Sequence, residues 1–89
     1  MSWGLICKPS EESFLIGRKI YGMLEDVILE KKIAEYMGMK GYSMEEIGKK
    51  ADKIIIVGGD GTILMTLQHT TKPIFSINTG RIGFLTEVE

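Results

Sequence analysis

The stretch Ile54-Ile55-Ile56-Val57-Gly58-Gly59-Asp60-Gly61-Thr62 decides the fold of this 89-residue chain. Its four β-branched residues, bounded by Lys53 and Gly58, are typical of a strand that is buried on both faces. The glycines end this strand, and a helix is predicted from Gly61 or Thr62 to about His69. A buried strand that leads directly into a helix is the repeating unit of parallel α/β sheets.

The flanking segments continue this alternation of strands and helices. Strands are predicted at residues 3–7, 27–29, 54–57 and 73–77, and helices over residues 10–25, 47–51 and 61–69. Ser10 marks the start of the first helix, and Ser43 with Glu46 has the spacing of a capping box before the second. Residues 30–42 are ambiguous because Gly38 and Gly41 interrupt any long helix. The order predicts an α/β fold with a mostly parallel sheet flanked by helices, in one domain over residues 1–89.

The composition excludes several classes of protein. The chain is 44% hydrophobic and 26% charged, and its 11 basic and 12 acidic residues give a net charge of −1. This balance gives no electrostatic reason to expect nucleic acid or an anionic membrane as a partner. The apolar runs are too short to cross a bilayer, and the single cysteine, Cys7, suits a reducing compartment, so a cytoplasmic protein is predicted.

Two glycine-containing segments follow predicted strands, where ligands of parallel sheets bind. They are residues 58–62 and residues 78–84. In the first, glycines let a ligand approach the main chain, and the following helix would direct free N–H groups at an anion, which suits a phosphate. A plain strand-to-helix turn remains the alternative. Asp60 could bind a metal ion, act as a base on a hydroxyl, or cap the helix.

Other familiar sites are not supported by the sequence. Lys8-Pro9-Ser10 follows the first strand where a dinucleotide-binding Gly-x-Gly-x-x-Gly would stand, and no lysine follows the glycines of residues 58–61 as a Walker A loop requires. His69, expected at a partly exposed helix end, and Cys7 cannot supply a zinc site. Several methionines are expected to fill gaps in the core: Met23, Met37, Met39, Met44 and Met65.

The two glycine segments together resemble the NAD kinase family, in the form of its archaeal members. The first motif is Gly58-Gly59-Asp60-Gly61-Thr62, and the second is Asn78-Thr79-Gly80-Arg81-Ile82-Gly83-Phe84-Leu85-Thr86-Glu87. Lipid kinases of the diacylglycerol type share the first motif, and phosphofructokinases carry a near variant of it. The second motif distinguishes NAD kinases from them. The resemblance covers essentially the whole chain and corresponds to the N-terminal half of the family.

The resemblance implies phosphoryl transfer from ATP, or in some members from inorganic polyphosphate, to the 2′-hydroxyl of the adenosine ribose of NAD. Asp60 would be the catalytic base for that hydroxyl, and Phe84 would lie against the adenine. A divalent cation, Mg²⁺, would bridge the donor phosphates, with ligands that the sequence does not identify. The nucleotide-binding residues implied by the family are Gly58, Gly59, Asp60, Gly61, Thr62, Asn78, Gly80, Gly83 and Phe84.

Two departures from the family pattern affect these expectations. Met65 stands where members commonly have a basic residue, and Arg81 either supplies that charge or is a solvated loop side chain. The chain also stops at Glu89, before the C-terminal β-rich domain that completes the site and the homo-oligomer of the family. We therefore expect an N-terminal fragment that is inactive alone. A noncatalytic nucleotide-binding module and a fragment of a lipid or sugar kinase remain the alternatives.

Overall fold

The computed structural model describes residues 2–78, within which strands and helices alternate. The elements are β1 (Trp3–Cys7), α1 (Glu11–Met23), β2 (Val27–Glu30), α2 (Lys31–Met37), β3 (Gly41–Tyr42), α3 (Met44–Lys50), β4 (Lys53–Val57), α4 (Asp60–Leu67) and β5 (Ile74–Ile77). The four predicted strands are all present. The additional helix α2 and strand β3 lie in the segment that the sequence left ambiguous.

The five strands form one sheet in the order β3-β2-β1-β4-β5, and every pair is parallel. This confirms the predicted α/β fold with a parallel sheet. The longest pairing joins β1 to β4, from Trp3 opposite Lys53 to Cys7 opposite Val57. The two strands therefore lie side by side at the centre of the sheet although the chain between them forms two other strands.

The helices cover both faces of the sheet, so the core has two layers. Helices α1 and α2 pack on one face, and α3 packs on the other together with Ile63 of α4. This is the arrangement that right-handed crossovers produce when the chain moves first to one side of β1 and then to the other. The buried residues of the first layer are Leu5, Cys7, Leu29, Ile33, Ala34, Ile55 and Val57, and those of the second are Ile6, Ile47, Ala51, Ile54 and Ile56.

The predicted caps begin α1 and α3. The Ser10 side chain accepts a hydrogen bond from the Ser13 N–H at 3.2 Å. At α3 the Ser43 hydroxyl accepts from the Glu46 N–H at 3.1 Å, and the Glu46 carboxylate accepts from the Ser43 N–H at 2.9 Å. The capping box is thus confirmed, although α3 begins at Met44, before the predicted Ile47, and α1 ends at Met23 rather than near residue 25.

The short helix α2 is fixed at both ends by local contacts. The Glu30 carboxylate accepts a hydrogen bond from the Lys32 N–H at 3.1 Å, and Glu30 is the N-cap residue. At the other end Gly38 adopts a left-handed conformation with φ 69°, and its N–H reaches the carbonyls of Ala34 and Glu35. Gly38 therefore ends a helix, which is a common role for glycine in this conformation.

The prediction that the methionines fill the core is wrong for three of the five. Met23 is 78% exposed, and Met39 and Met65 are also exposed, whereas Met37 and Met44 pack against the core clusters. The exposed three lie at a helix end, in a loop and on the outer side of α4, where an unbranched apolar chain has no layer to fill.

In residues 2–78 none of the helices has the length and apolar character needed to traverse a bilayer.

Candidate functional site

The carboxyl ends of three neighbouring strands are joined by main-chain hydrogen bonds. The Lys8 N–H, just after β1, donates to the Val57 carbonyl of β4 at 2.8 Å. The Gly58 N–H, just after β4, donates to the Ile77 carbonyl of β5 at 2.9 Å. The segments that leave these strands therefore start from fixed positions along one edge of the sheet.

The sheet changes winding direction between β1 and β4. From β1 the chain proceeds to β2 and β3 on one side, and it then crosses to β4 and β5 on the other. Helices α1 and α4, which follow these two central strands, consequently leave toward opposite faces. Such a switch point opens a crevice beyond the strand ends, and ligands of doubly wound sheets bind there. Both Lys8 and the glycine turn of residues 58–62 lie at this crevice.

Gly58 occupies a position that only glycine fits. Its φ is 153°, a conformation that L-residues rarely adopt. A Cβ at Gly58 would lie 2.7 Å from the Cβ of Lys8 and 3.3 Å from the Oγ1 of Thr62. Gly59 and Gly61 differ, because a Cβ at either position would have no described atom within 4 Å. The main chain at these two glycines is therefore open to a molecule in the crevice.

Asp60 is the first residue of α4 and its side chain is exposed. The N-cap residue is Gly59, so α4 begins one residue earlier than the predicted start at Gly61 and has no side-chain cap. The alternative in which Asp60 caps the helix is thus wrong. The carboxylate instead stands in the first turn, at the positive end of the helix dipole, where negative charge is stabilised. It is available to solvent and to a ligand, and its role as a base remains a prediction.

The second glycine segment lies almost entirely outside the described residues. Asn78, the residue that follows β5, is exposed and makes an interaction with the rest of the chain. The predicted binding residues Gly80, Gly83 and Phe84, together with Arg81, fall beyond residue 78. Their roles accordingly remain predictions, although β5 directs the chain that leads to them from the same sheet edge as the first turn.

The described residues do not form a metal cage. Among residues 2–78, no three His, Cys, Asp or Glu side chains gather closely enough to hold a metal ion. Mg²⁺ in phosphoryl-transfer sites needs no such cage, because it takes one or two carboxylates and completes its shell with substrate phosphates and water. Asp60 is the exposed carboxylate that the turn offers to such an ion, as an alternative to its use as a base.

Two ionisable groups, Cys7 and Glu30, are buried at the ends of β1 and β2. Burial, together with the smaller effect of the nearby Glu30 carboxylate, raises the pKa of the Cys7 thiol to about 12. Burial also raises the pKa of Glu30, against the opposing hydrogen bond from the Lys32 N–H. A protonated thiol with 2% exposure is inert, so Cys7 is a packing residue.

Lys8 was not predicted as a residue of the site. The predicted site comprised the segments after β4 and β5, and Lys8-Pro9-Ser10 was noted only because a dinucleotide-binding loop is absent there. The order of the strands is what would have identified Lys8. In a doubly wound sheet whose first strand is central, the segment after that strand borders the switch point. The adjacency of β1 and β4, which the sequence alone does not give, brings Lys8 beside Gly58.

The strands are added first on one side of β1 and then on the other, and an open glycine turn lies where this order reverses. These features define a doubly wound α/β domain with its ligand crevice at the switch point. The chain belongs to the NAD kinase family: residues 4–89 match the ATP-NAD kinase N-terminal domain. This confirms the resemblance stated from the two glycine motifs.

Individual relatives agree with the family match. The NAD kinase of Chlorobium phaeovibrioides is 37% identical over 94 residues, covering 98% of this chain and 34% of that protein. The NAD kinase of Thermoplasma acidophilum is 44% identical over 64 residues, and that of Picrophilus torridus is 47% identical over 64 residues, each covering 72% of this chain and 23% of the relative. The chain thus spans about a third or less of the length of these relatives.

Proposed function

We propose that this chain is the N-terminal nucleotide-binding domain of an NAD kinase, which phosphorylates the 2′-hydroxyl of the adenosine ribose of NAD to give NADP. The donor is ATP or inorganic polyphosphate. One observation carries the proposal: the exposed carboxylate of Asp60 stands between Gly59 and Gly61, whose main chain is open, at the switch point of the sheet. The family match supports this choice of substrate class.

Asp60 is the proposed proton acceptor. An alcohol is a weak nucleophile at neutral pH, and a positioned base contributes about 10²–10⁴ in rate. As the ribose oxygen forms its bond to the terminal phosphorus of the donor, its proton passes to the Asp60 carboxylate. The bond between that phosphorus and the bridging oxygen breaks, and ADP or the shortened polyphosphate leaves. The protonated Asp60 then returns its proton to solvent through its exposed position.

The open main chain of the turn is the proposed phosphate contact. Without a Cβ at Gly59 or Gly61, the donor phosphates can approach the N–H groups of Asp60 and Gly61, which stand at the start of α4 where a helix offers no intrahelical acceptor. When bound, a Mg²⁺ ion neutralises charge on the donor phosphates. The second glycine segment is the proposed adenosine contact, with Phe84 stacked on the adenine and Asn78, Gly80 and Gly83 shaping the loop.

The proposal treats residues 1–89 as one domain of a longer protein. Its curated relatives are about three times as long, since the match covers 34% or less of each of those named above. We propose that the remaining part of such a protein completes the site and the homo-oligomer, and that residues 1–89 alone form no NADP.

The test places this chain in the full-length protein and compares two matched amide substitutions. Asp60→Asn removes the carboxylate from the first turn of α4, and Glu12→Gln removes an exposed carboxylate from the first turn of α1. Each loses the same interaction with a helix dipole, of about 0.3–1 kcal/mol. NADP formation should fall about 10²–10⁴-fold in Asp60→Asn and stay unchanged in Glu12→Gln.

The outcomes separate the alternatives. Equal activity in Asp60→Asn and wild type would remove Asp60 from the role of base. Calorimetric binding of NAD and ATP without NADP formation would identify a noncatalytic nucleotide-binding module. Phosphorylation of a diacylglycerol or a sugar in place of NAD would identify a kinase that shares only the first glycine motif.

A further inference from the structure

Lys8 has a fixed main chain at the switch point. Its N–H donates to the Val57 carbonyl at 2.8 Å, and its carbonyl accepts from the Ser10 N–H at 2.7 Å. These two bonds hold the residue between the end of β4 and the start of α1. Its Cα therefore cannot move away from the glycine turn without breaking contacts on both sides.

The side chain of Lys8 starts against the glycine turn. Its Cβ would lie 2.7 Å from a Cβ at Gly58, and the Oγ1 of Thr62 lies 3.3 Å from the same point. Lys8 and Thr62 thus flank one position, which is vacant because residue 58 is glycine. Lys8 is an exposed residue, so its flexible four-carbon stem can carry the ammonium over the turn into the crevice.

A cation at this point would reduce the repulsion between two negatively charged groups at the turn. The Asp60 carboxylate and a chain of donor phosphates are both negative, and they must approach each other for the reaction in the proposed function. A lysine ammonium is a compact point charge that binds phosphate oxygens without demanding one orientation. Lys8 brings such a charge to the same turn from a different strand.

We propose that Lys8 binds the polyphosphate chain of the phosphoryl donor above Gly58. The inference rests on the proposed function and deepens it. The donor is favoured over the pyrophosphate of NAD because its terminal phosphate must reach the hydroxyl held at Asp60, two residues from Gly58 along the turn. The shared chemistry is a linear chain of phosphates, whether it comes from ATP or from inorganic polyphosphate.

The experiment uses the full-length protein with Lys8→Met, Lys8→Gln and Lys8→Arg, and with Lys19→Met as the matched control. Lys19 is an exposed lysine within α1. Lys8→Met should raise the KM for ATP and for tripolyphosphate about ten- to a hundredfold, the effect of losing one charge-assisted hydrogen bond. The KM for NAD should not change, and Lys8→Arg should restore most of the donor affinity.

A direct binding measurement accompanies the kinetics. Calorimetric titration with inorganic tripolyphosphate should show the same loss of affinity in Lys8→Met and no loss in Lys19→Met. Separate titrations with ATP and with tripolyphosphate identify which of the two donors contacts Lys8. Thermal unfolding of each variant verifies folding, and Lys8→Gln replaces Lys8→Met in the comparison if the apolar side chain impairs it.

The failures of the two proposals are distinguishable. If wild type forms NADP but Lys8→Met leaves the donor KM unchanged, or raises the KM for NAD instead, the inference about Lys8 is overturned and the proposed function stands. If Lys8→Arg is as impaired as Lys8→Met, a charge contact is excluded. If the wild-type protein forms no NADP, the proposed function fails, and the inference fails with it.

Discussion

At the residue scale, the three glycines of the first motif have different roles. Gly58→Ala should destabilise the fold by about 1–3 kcal/mol, because φ 153° is strained for alanine and its Cβ would meet Lys8. Gly59→Ala should cost less, at most about 1 kcal/mol from the preference for glycine over alanine at an N-cap, because φ is −111° and no described atom lies within 4 Å of the new methyl group. Urea unfolding of both variants measures the difference.

The variants Gly58→Ala and Gly59→Ala also separate an effect on folding from an effect on ligand binding. In the full-length protein, Gly59→Ala should lower NADP formation although it folds normally, because its methyl group occupies the space proposed for the phosphates. A Gly59→Ala protein with full activity would contradict a close approach of the ligand to this main chain. A Gly58→Ala protein as stable as wild type would contradict the strain argument.

The first site motif was accessible to sequence reasoning because its residues are contiguous. The residues from Gly58 to Thr62 form one short turn, so a predicted strand followed by glycines is enough to locate them. Lys8 was not accessible, because its neighbour Gly58 is distant along the chain and the two meet only through the pairing of β1 with β4. The first residue of α4 was also misplaced, since a glycine N-cap leaves no side-chain signal for a helix start.

At the element scale, α1 contains two glycines whose replacement should have opposite effects. Gly17 faces the core, and a Cβ there would lie 2.5 Å from the Cys7 Sγ and 3.0 Å from Ile33 Cδ1. Gly22, on the same helix, has no described atom within 4 Å of that position. Gly17→Ala should therefore destabilise the fold by about 1–3 kcal/mol through overpacking. Gly22→Ala should stabilise it by up to about 1 kcal/mol through helix propensity.

Chemical denaturation of the two variants tests this expectation. Each adds one methyl group to the same helix, so their difference reports packing rather than propensity. Equal stabilisation by both substitutions would show that α1 can move away from Cys7 at little cost. The contact between Gly17 and Cys7 would then not be what holds α1 rigidly against the sheet.

Long or strongly patterned elements were predictable, and short ones were not. The run Ile54–Val57 and the capping box at Ser43 indicate their elements directly, and both are present. Helix α2 has seven residues and β3 has two, too few for a periodic pattern. They form because Glu30 caps α2, and because Gly41 fits against α2 where a Cβ would lie 2.8 Å from the Lys31 Cα. Glutamate is not one of the residues that usually mark a helix start, and the approach of Gly41 to Lys31 joins two separate elements, so local propensity revealed neither contact.

At the scale of the whole molecule, Cys7 provides a reporter of global unfolding. Its thiol is 2% exposed beneath α1, and its pKa is raised to about 12. At neutral pH an aromatic disulfide reagent should therefore label it only when the domain opens, with a rate that rises with urea in parallel with the unfolded fraction. Fast labelling in the absence of denaturant would show that α1 detaches locally from the sheet.

The same thiol predicts a pH dependence of stability. In the unfolded chain it ionises near the ordinary pKa of 9.0, whereas in the folded chain it stays protonated to about 12. Between these values the unfolded state binds fewer protons, so stability falls as pH rises. Urea midpoints measured across this range should decline more steeply in wild type than in Cys7→Ala, whose loss of the thiol removes this contribution.

The central position of β1 has a consequence for biosynthesis. Strand β1 (Trp3–Cys7) is translated well before one of its two neighbours, β4, because two other strands and three helices are made between them. A nascent chain halted before Lys53 would leave the apolar edge of that first strand without its longest partner. Pairings between such distant segments close slowly. During translation that edge of β1 therefore stays unpaired until residues 53–57 have been made.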